Sequence, residues 1–300
     1  MTAQRALAPQ QMQLPMVTRT QRWRDRRESY RPAGEPINPR HFTVELIAEG
    51  VAKAFVQQHH YSGTFPASRM RAGLMRTLPG RRAELVGVAV FSQPMTQAVI
   101  PYWTGQPPGA GIELGRLTVL DEIAANAESF FVARAFRLLA QELPQIQAIV
   151  SFSDPVQRVT DTGHQVTPGH AGILWQALNA RHVGRSKARP IVLDRSGRVV
   201  SERALAKLRN GERGAGYVYQ QLLTAGAPPR QAGESDPSYV TRALSEGPFR
   251  RIRHPGNIAY VWASLTAPRS VAAGFRPHLR YPKPGDVVVT TAPQEGGADV

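Results

Sequence analysis

The chain has no cysteine among its 300 residues. That excludes a disulfide framework, a thiolate metal centre and a cysteine nucleophile. Lysine is scarce too: of 37 basic residues only Lys53, Lys187, Lys207 and Lys283 are lysines. The opening MTAQRALAPQQMQLP lacks the apolar run of a secretory signal. No stretch approaches the roughly 18 apolar residues of a membrane span. A cytoplasmic protein with no membrane partner is therefore expected. Neither G-x-G-x-x-G nor G-x-x-x-x-G-K-[ST] occurs, which argues against a Rossmann dinucleotide site and a P-loop. Carboxylates are few, 22 against those 37 cations, leaving a net charge of +15.

What is present starts with that charge. A GC-rich genome also favours arginine, but this excess suits a polyanionic partner, because neutralising phosphates releases counterions. It is uneven. Residues 1–40 hold eight Arg against three acids, and residues 241–285 hold seven Arg and one Lys against one acid. The Arg22–Arg27 run and the segments FRRIRHPGNIAYVWASL and RPHLRYPKPGD are candidate duplex-binding surfaces, with arginine for phosphates and aromatics for exposed bases. A hydrophobic content of 42% is enough for a sizeable core.

Periodicity predicts a helix over Thr43–His60, with Gly63 ending it, then a buried strand over Leu85–Ser92. A Pro/Gly-rich loop over Gln93–Gly111 leads to a strand over Glu113–Leu120. Asn126 reads as the N-cap of a helix over ESFFVARAFRLLAQEL. AIVSFSD is the next strand. A loop spans Pro155–Pro168, and a helix begins near Gly169 at Gly-His-x-Gly. PIVLDRSGRVVS reads as a hairpin at Ser196-Gly197, and two short helices follow, broken at Gly211. Beyond Pro228 one strand or turn unit is expected around Asn257–Ala263. The order of elements is that of an α/β layer architecture.

Several polar residues stand out against this pattern. Asp154 ends a strand beside a following helix, where open α/β sheets bind ligands; as an Asp before a proline it is also an ordinary turn former. Arg116 interrupts an apolar strand and needs an anion or acceptors, such as a phosphate, a carboxylate or Asp154. His60-Tyr61 closes the first helix, either as a cap and a packed ring or as a base or metal ligand in a cleft. Glu128 and Ser129 open a helix, as caps or as phosphate contacts. Gly169 and Gly172, flanking His170, either enter a helix or admit a ligand close to the backbone. Trp175 packs or stacks on a base. His60, His170, His164 and Asp154 are possible metal ligands, though their spacing is no metal motif.

The order of elements from Glu113 onward resembles the core of the GNAT acyltransferase superfamily. The ordered set HHYSGTFP, LVGVAVFS, ELGRLTVLDEIAANAESFFVARAFRLL, SFSDP and PGHAGILWQALNARHVGRS more specifically resembles the Mom family of phage DNA-modification proteins. The resemblance covers roughly His59–Ser186. It implies a GNAT-like mixed sheet flanked by helices, with basic N- and C-terminal extensions. On this reading residues 1–40 form a flexible arm and 41–225 the catalytic domain. Residues 226–290 form a DNA-binding extension packed on the core, and 291–300 a disordered tail. The implied function is conversion of adenine in duplex DNA to a carbamoylmethylated form that protects it from restriction. His60, Tyr61, Arg116 and Asp154 are the implied catalytic residues. Asn126, Ser129, Gly169, His170, Gly172 and Trp175 are implied for cofactor binding. Acetyl-CoA or another activated donor is implied, and iron, with His60 and Asp154 as its ligands. The glycine-rich phosphate signature of acyltransferases is absent, so Asn126 and Ser129 would replace it. Trp175 stands where those enzymes often carry an acidic tyrosine, which leaves Tyr61 as a proton donor. Two other functions fit the same residues: acyl transfer to a protein or small-molecule amine, and duplex binding without catalysis.

Overall fold

The computed structural model describes residues 17–19, 30–32, 37–124, 126–167 and 169–289. Most of the basic arm expected over 1–40, the Arg22–Arg27 run included, and the tail over 291–300 lie outside the described residues. In chain order come β1 (Val17–Arg19), β2 (Tyr30–Pro32), β3 (Phe42–Leu46), α1 (Glu49–His59), β4 (Ser68–Arg76) and β5 (Glu84–Ser92). Then follow α2 (Val99–Thr104), β6 (Gly111–Val119), α3 (Ala127–Glu142), β7 (Ala148–Ser153), β8 (Val156–Val159), β9 (Gln165–Thr167) and α4 (Ile173–Ala177). The C-terminal half adds β10 (Arg181–Arg185), β11 (Arg189–Leu193), β12 (Val199–Val200), α5 (Glu202–Arg209), α6 (Gly216–Thr224) and α7 (Asp236–Glu246). It closes with β13 (Arg250–His254), β14 (Ile258–Ala263), α8 (Arg269–Ala273) and β15 (Val288–Val289).

Seven strands form the main sheet in the order β10-β14-β7-β6-β5-β4-β3. Every neighbouring pair is antiparallel except β6 and β7. The mixed α/β fold with helices on the sheet is thus the one expected. Period-two alternation places the two faces. On β7 and β14, Ala148, Val150, Ala259 and Val261 pack with Ile100 and Trp103 of α2 and Val271 of α8. Ile149, Tyr260 and Trp262 face the other way, into the larger core with Phe131, Ala135 and Leu139 of α3.

Four expectations need correction. The helix expected from Thr43 begins only at Glu49. Phe42–Leu46 is instead an edge strand on β4, because Phe42 and Val44 alternate and pair with Arg76 and Leu74. The loop expected over Gln93–Gly111 contains α2, and the loop over Pro155–Pro168 contains the β8–β9 hairpin. The unit around Asn257–Ala263 does not stand outside the core. As β14 it pairs with β7 over six residues and with β10 on its other side. A boundary at residue 225 therefore cuts through the fold. The chain leaves the sheet after β10, builds a small unit of β11–β13 and α5–α7 with its own apolar core, and returns as β14.

Candidate active site

The parallel pair β6 and β7 sets the site. The two strands pair only from Gly111–Ala148 to Glu113–Val150 and then diverge. A cavity of about 890 Å³ opens at the split, lined by β6 from Glu113 to Val119 and by Ser151, Phe152 and Asp154. The end of α1, the loop before α4 and residues Gly285 and Val287 complete its walls. Ligands commonly bind at such a divergence in α/β sheets.

A bulge in β6 decides which side chains enter. Val90 pairs with Arg116 and Phe91 with Leu114, so Gly115 is an extra residue. The extra residue shifts the alternation. Glu113 and Arg116, three apart, therefore share a face, and both line the cavity. A Cβ at the bulge would stand 2.4 Å from Ser92 Oγ, so any larger residue there displaces that buried hydroxyl. Gly115→Ala is expected to cost about 1–3 kcal/mol of stability through overpacking. It is also expected to reduce activity beyond that loss, by turning Glu113 and Arg116 apart. Denaturation midpoints measured beside modification yield check both effects.

Arg116 is anchored by acceptors: its Nε donates to Thr64 O at 3.1 Å, Nη1 to Gly115 O at 2.5 Å and Nη2 to Thr64 Oγ1 at 2.7 Å. Asp154, one expected partner, is engaged elsewhere. Burial lowers the Arg116 pKa, and Tyr61 and Glu113 oppose that. Glu113 is the group that sequence reasoning missed. Burial raises its pKa to about 7 despite the nearby Arg116 charge, which favours ionisation. No sequence signal marks it, because its exposure to the cavity depends on the bulge.

Asp154 closes the opposite wall. Its Oδ1 accepts from Val156 N–H at 2.9 Å and from His254 Nε2 at 3.0 Å, and its Oδ2 accepts from Arg158 Nη1 at 2.5 Å. Burial alone would raise its pKa. The His254 hydrogen bond, the Arg158 charge and the Val156 amide together hold it well below the usual carboxylate range. Asp154 is thus an ionised, weakly basic carboxylate at neutral pH. Gly256 N–H donates to His254 Nδ1 at 3.0 Å, which places the ring proton on Nε2 toward Asp154. Arg158 and His254 were not foreseen either. His254 lies 100 residues further along the chain, within a segment that reads as a basic tail.

His60 is neutral. Burial, then Arg116, then His170 lower its pKa to about 3. Ser62 N–H donates to its Nδ1 at 3.1 Å, so the neutral ring carries its proton on Nε2. Its ring stacks on Tyr61 with centroids 4.3 Å apart. Burial and then Asp154 raise the Tyr61 pKa, with Arg158 and Arg116 opposing, so the phenol keeps its proton. Burial lowers the His170 pKa despite Asp154, and the His170 N–H donates to Asp154 O at 2.8 Å.

His60, Tyr61, Arg116, Asp154, Gly169, His170, Gly172 and Trp175 all line the one cavity, as do His59 and Glu128. Asn126 and Ser129 are not among its lining residues. Asn126 has φ +67° and makes no side-chain cap, and Ser129 Oγ donates to Asn126 O at 3.0 Å. Two acidic residues, Asp121 and Glu128, line that end of the cavity instead. This opening of α3 does not fit a pyrophosphate cradle. The helix after Gly-His-x-Gly is also shorter than expected, starting at Ile173. Gly172, at φ +72°, lets the loop close on Ser153 and Tyr260, where a Cβ would stand 2.5 Å and 2.6 Å from their side chains. His164 is exposed and is not among the lining residues.

No group of three metal-ligating side chains occurs among the described residues. Both Asp154 oxygens are bound to Arg158 and His254, and the His60 Nδ1 is bound to Ser62. These residues do not fit an iron centre. Two polar atoms on the wall have no partner among the described residues: Thr118 Oγ1 and Trp175 Nε1 are both buried and lack a hydrogen bond. A buried donor without an acceptor is costly.

No helix among the described residues is long and apolar enough to cross a membrane. Residues 41–232, more than half of the chain, match the Mom protein family. No curated protein matches it.

Proposed function

The chain belongs to the Mom protein family, and on that premise we propose that it modifies adenine in phage DNA, converting the N6 amine to a carbamoylmethylated form. The observation that carries this reading is Glu113. It is a carboxyl whose pKa is about 7, on the same face of a split-sheet cavity as Arg116. A general base works best with a pKa near the operating pH. A cleft used only for binding has no need of such a group.

The adenine amine is paired inside the duplex, so the base must leave the stack to react. A cavity of about 890 Å³ takes a flipped base together with a small donor. The amine is delocalised and weakly nucleophilic. Glu113 accepts its proton as the N6–C bond forms. The bond from that carbon to the donor's leaving group breaks, and the leaving group departs with the electron pair. An electrophilic carbamoylmethyl donor supplies the carbon and the leaving group. Arg116 stabilises negative charge developing in the transition state. Tyr61, which stays protonated, is placed to donate to the leaving group. Asp154 is too weakly basic for proton abstraction and holds the β7–β8 turn through Arg158 and His254. An acyltransferase acting on a protein or small-molecule amine would use the same base. The family match is what selects DNA.

Restriction tests this reading. Plasmid from cells expressing the chain is expected to resist an endonuclease whose site contains adenine. Full cleavage of that plasmid, with the protein present and folded, counts against it.

A further inference from the structure

The unit inserted between β10 and β14 carries a charge pattern that the cavity chemistry does not use. Its acids are largely spent inside it. Glu202 pairs with Arg209 at 2.6 Å and Asp236 with Arg230 at 2.5 Å. Glu234 and Glu246 both pair with Arg242, at 2.8 Å and 3.1 Å. Asp194 accepts from Ser196 and from the Arg198 amide in the β11–β12 turn. Arg189, Arg198, Arg203, Arg213, Arg251 and Arg253 remain. All are exposed, and none has an ion pair or a side-chain hydrogen bond among the described residues.

The strand β13 organises part of this surplus. It is an edge of its sheet, in the order β12-β11-β13. Arg250, Ile252 and His254 share one face, and Arg251 and Arg253 share the other. The last two are about 7 Å apart along the strand, comparable to successive phosphates on one nucleic-acid strand. Across the pair, Arg253 lies opposite Pro190 and Arg251 opposite Val192, whereas Arg189, opposite His254, belongs to the other face. Like charges placed so closely repel one another, and a bound polyanion relieves that repulsion. The position is also informative. Arg253 directly precedes His254, which holds Asp154 in the cavity wall, and Asn257 lines the cavity itself. When a base is flipped, its backbone phosphates stay outside the pocket.

We infer that the inserted unit is the duplex-docking surface, with Arg251 and Arg253 gripping the phosphate backbone beside the cavity. The choice of duplex DNA rests on the function proposed above, while the surface rests on charge and register. Binding of a fluorescent duplex across a salt series tests it. The R251Q/R253Q variant is expected to lower the log–log salt slope by about 0.9 for each phosphate it no longer neutralises, hence by about 2. An R81Q/R82Q control removes two exposed cations from the β4–β5 turn and is expected to keep the wild-type slope. A double variant whose slope matches the wild type or changes no more than the control overturns the inference. Wild-type protein that binds no duplex also overturns it, yet adenine modification in the same cells would leave the catalytic reading standing. A reduced slope in a protein that leaves deoxyadenosine unmodified supports the surface and removes the catalytic reading.

Discussion

Glu113→Gln is expected to lower the rate of adenine modification by about 100- to 10,000-fold, the usual contribution of a positioned general base. Glutamine keeps the shape and loses the proton acceptor. In the wild type the rate should rise with pH through about 7 and level off above it, following ionisation of Glu113. Burial raises this midpoint and the Arg116 charge on the same strand opposes it, while Asp154, Arg158 and the neutral His60, His170 and Tyr61 line the same cavity. Purified protein supplied with cell extract as the donor source, and assayed for modified deoxyadenosine, measures both effects. Stability should move the other way. The folded carboxyl has a raised pKa, so the folded state binds more protons than the unfolded one between pH 4.5 and about 7. Wild-type stability therefore falls as pH rises through that window. Glutamine carries no such penalty, so the variant should be the more stable protein above pH 7, by up to about 3 kcal/mol.

Asp154→Ala is expected to do the opposite, damaging stability first. The side chains of Arg158 and His254 are 9% and 6% exposed, and they would lose their shared carboxylate. Removing one partner of a buried pair costs about 3–5 kcal/mol. The Asp154 pKa is depressed in the folded state, so its stabilisation is present above the unfolded value of 3.8 and is lost as pH falls below it. The difference between wild type and variant, read by chemical denaturation, should hold at neutral pH and shrink in acid. A variant with wild-type stability would show that the Arg158–Asp154–His254 arrangement holds nothing in place. Activity lost in Glu113→Gln without loss of stability, and stability lost in Asp154→Ala, together separate proton transfer from scaffolding.

The elements with strong local signals were legible in the sequence. The buried run of β5, the helical spacing of α3 and the Ser196-Gly197 hairpin all form as their patterns suggest. The gathering of His60, Tyr61, Arg116, Asp154, His170 and Trp175 in one cleft was also legible, because each stands at the end of an element or breaks an apolar pattern. Less visible was β4, where Met70, Ala72 and Leu74 alternate behind three arginines and a glycine. The place of β14 was hidden by sequence distance, since nothing local shows that a strand beyond residue 257 pairs with one at 148–153. Glu113 depends on a one-residue bulge, and His254 on an interaction across 100 residues. Asn126 and Ser129 looked like phosphate contacts because capping residues and anion sites share one composition. Their geometry, with Asn126 left-handed and Ser129 bonded back to it, shows local helix entry instead.

Nucleoside mass spectrometry is the most direct test of whether this cavity modifies adenine with Glu113 as its base. Plasmid DNA from cells expressing wild-type protein should contain a deoxyadenosine heavier by one carbamoylmethyl group, and DNA from Glu113→Gln cells should contain almost none at equal protein level. Unmodified deoxyadenosine in both, or equal modification in both, would contradict the account.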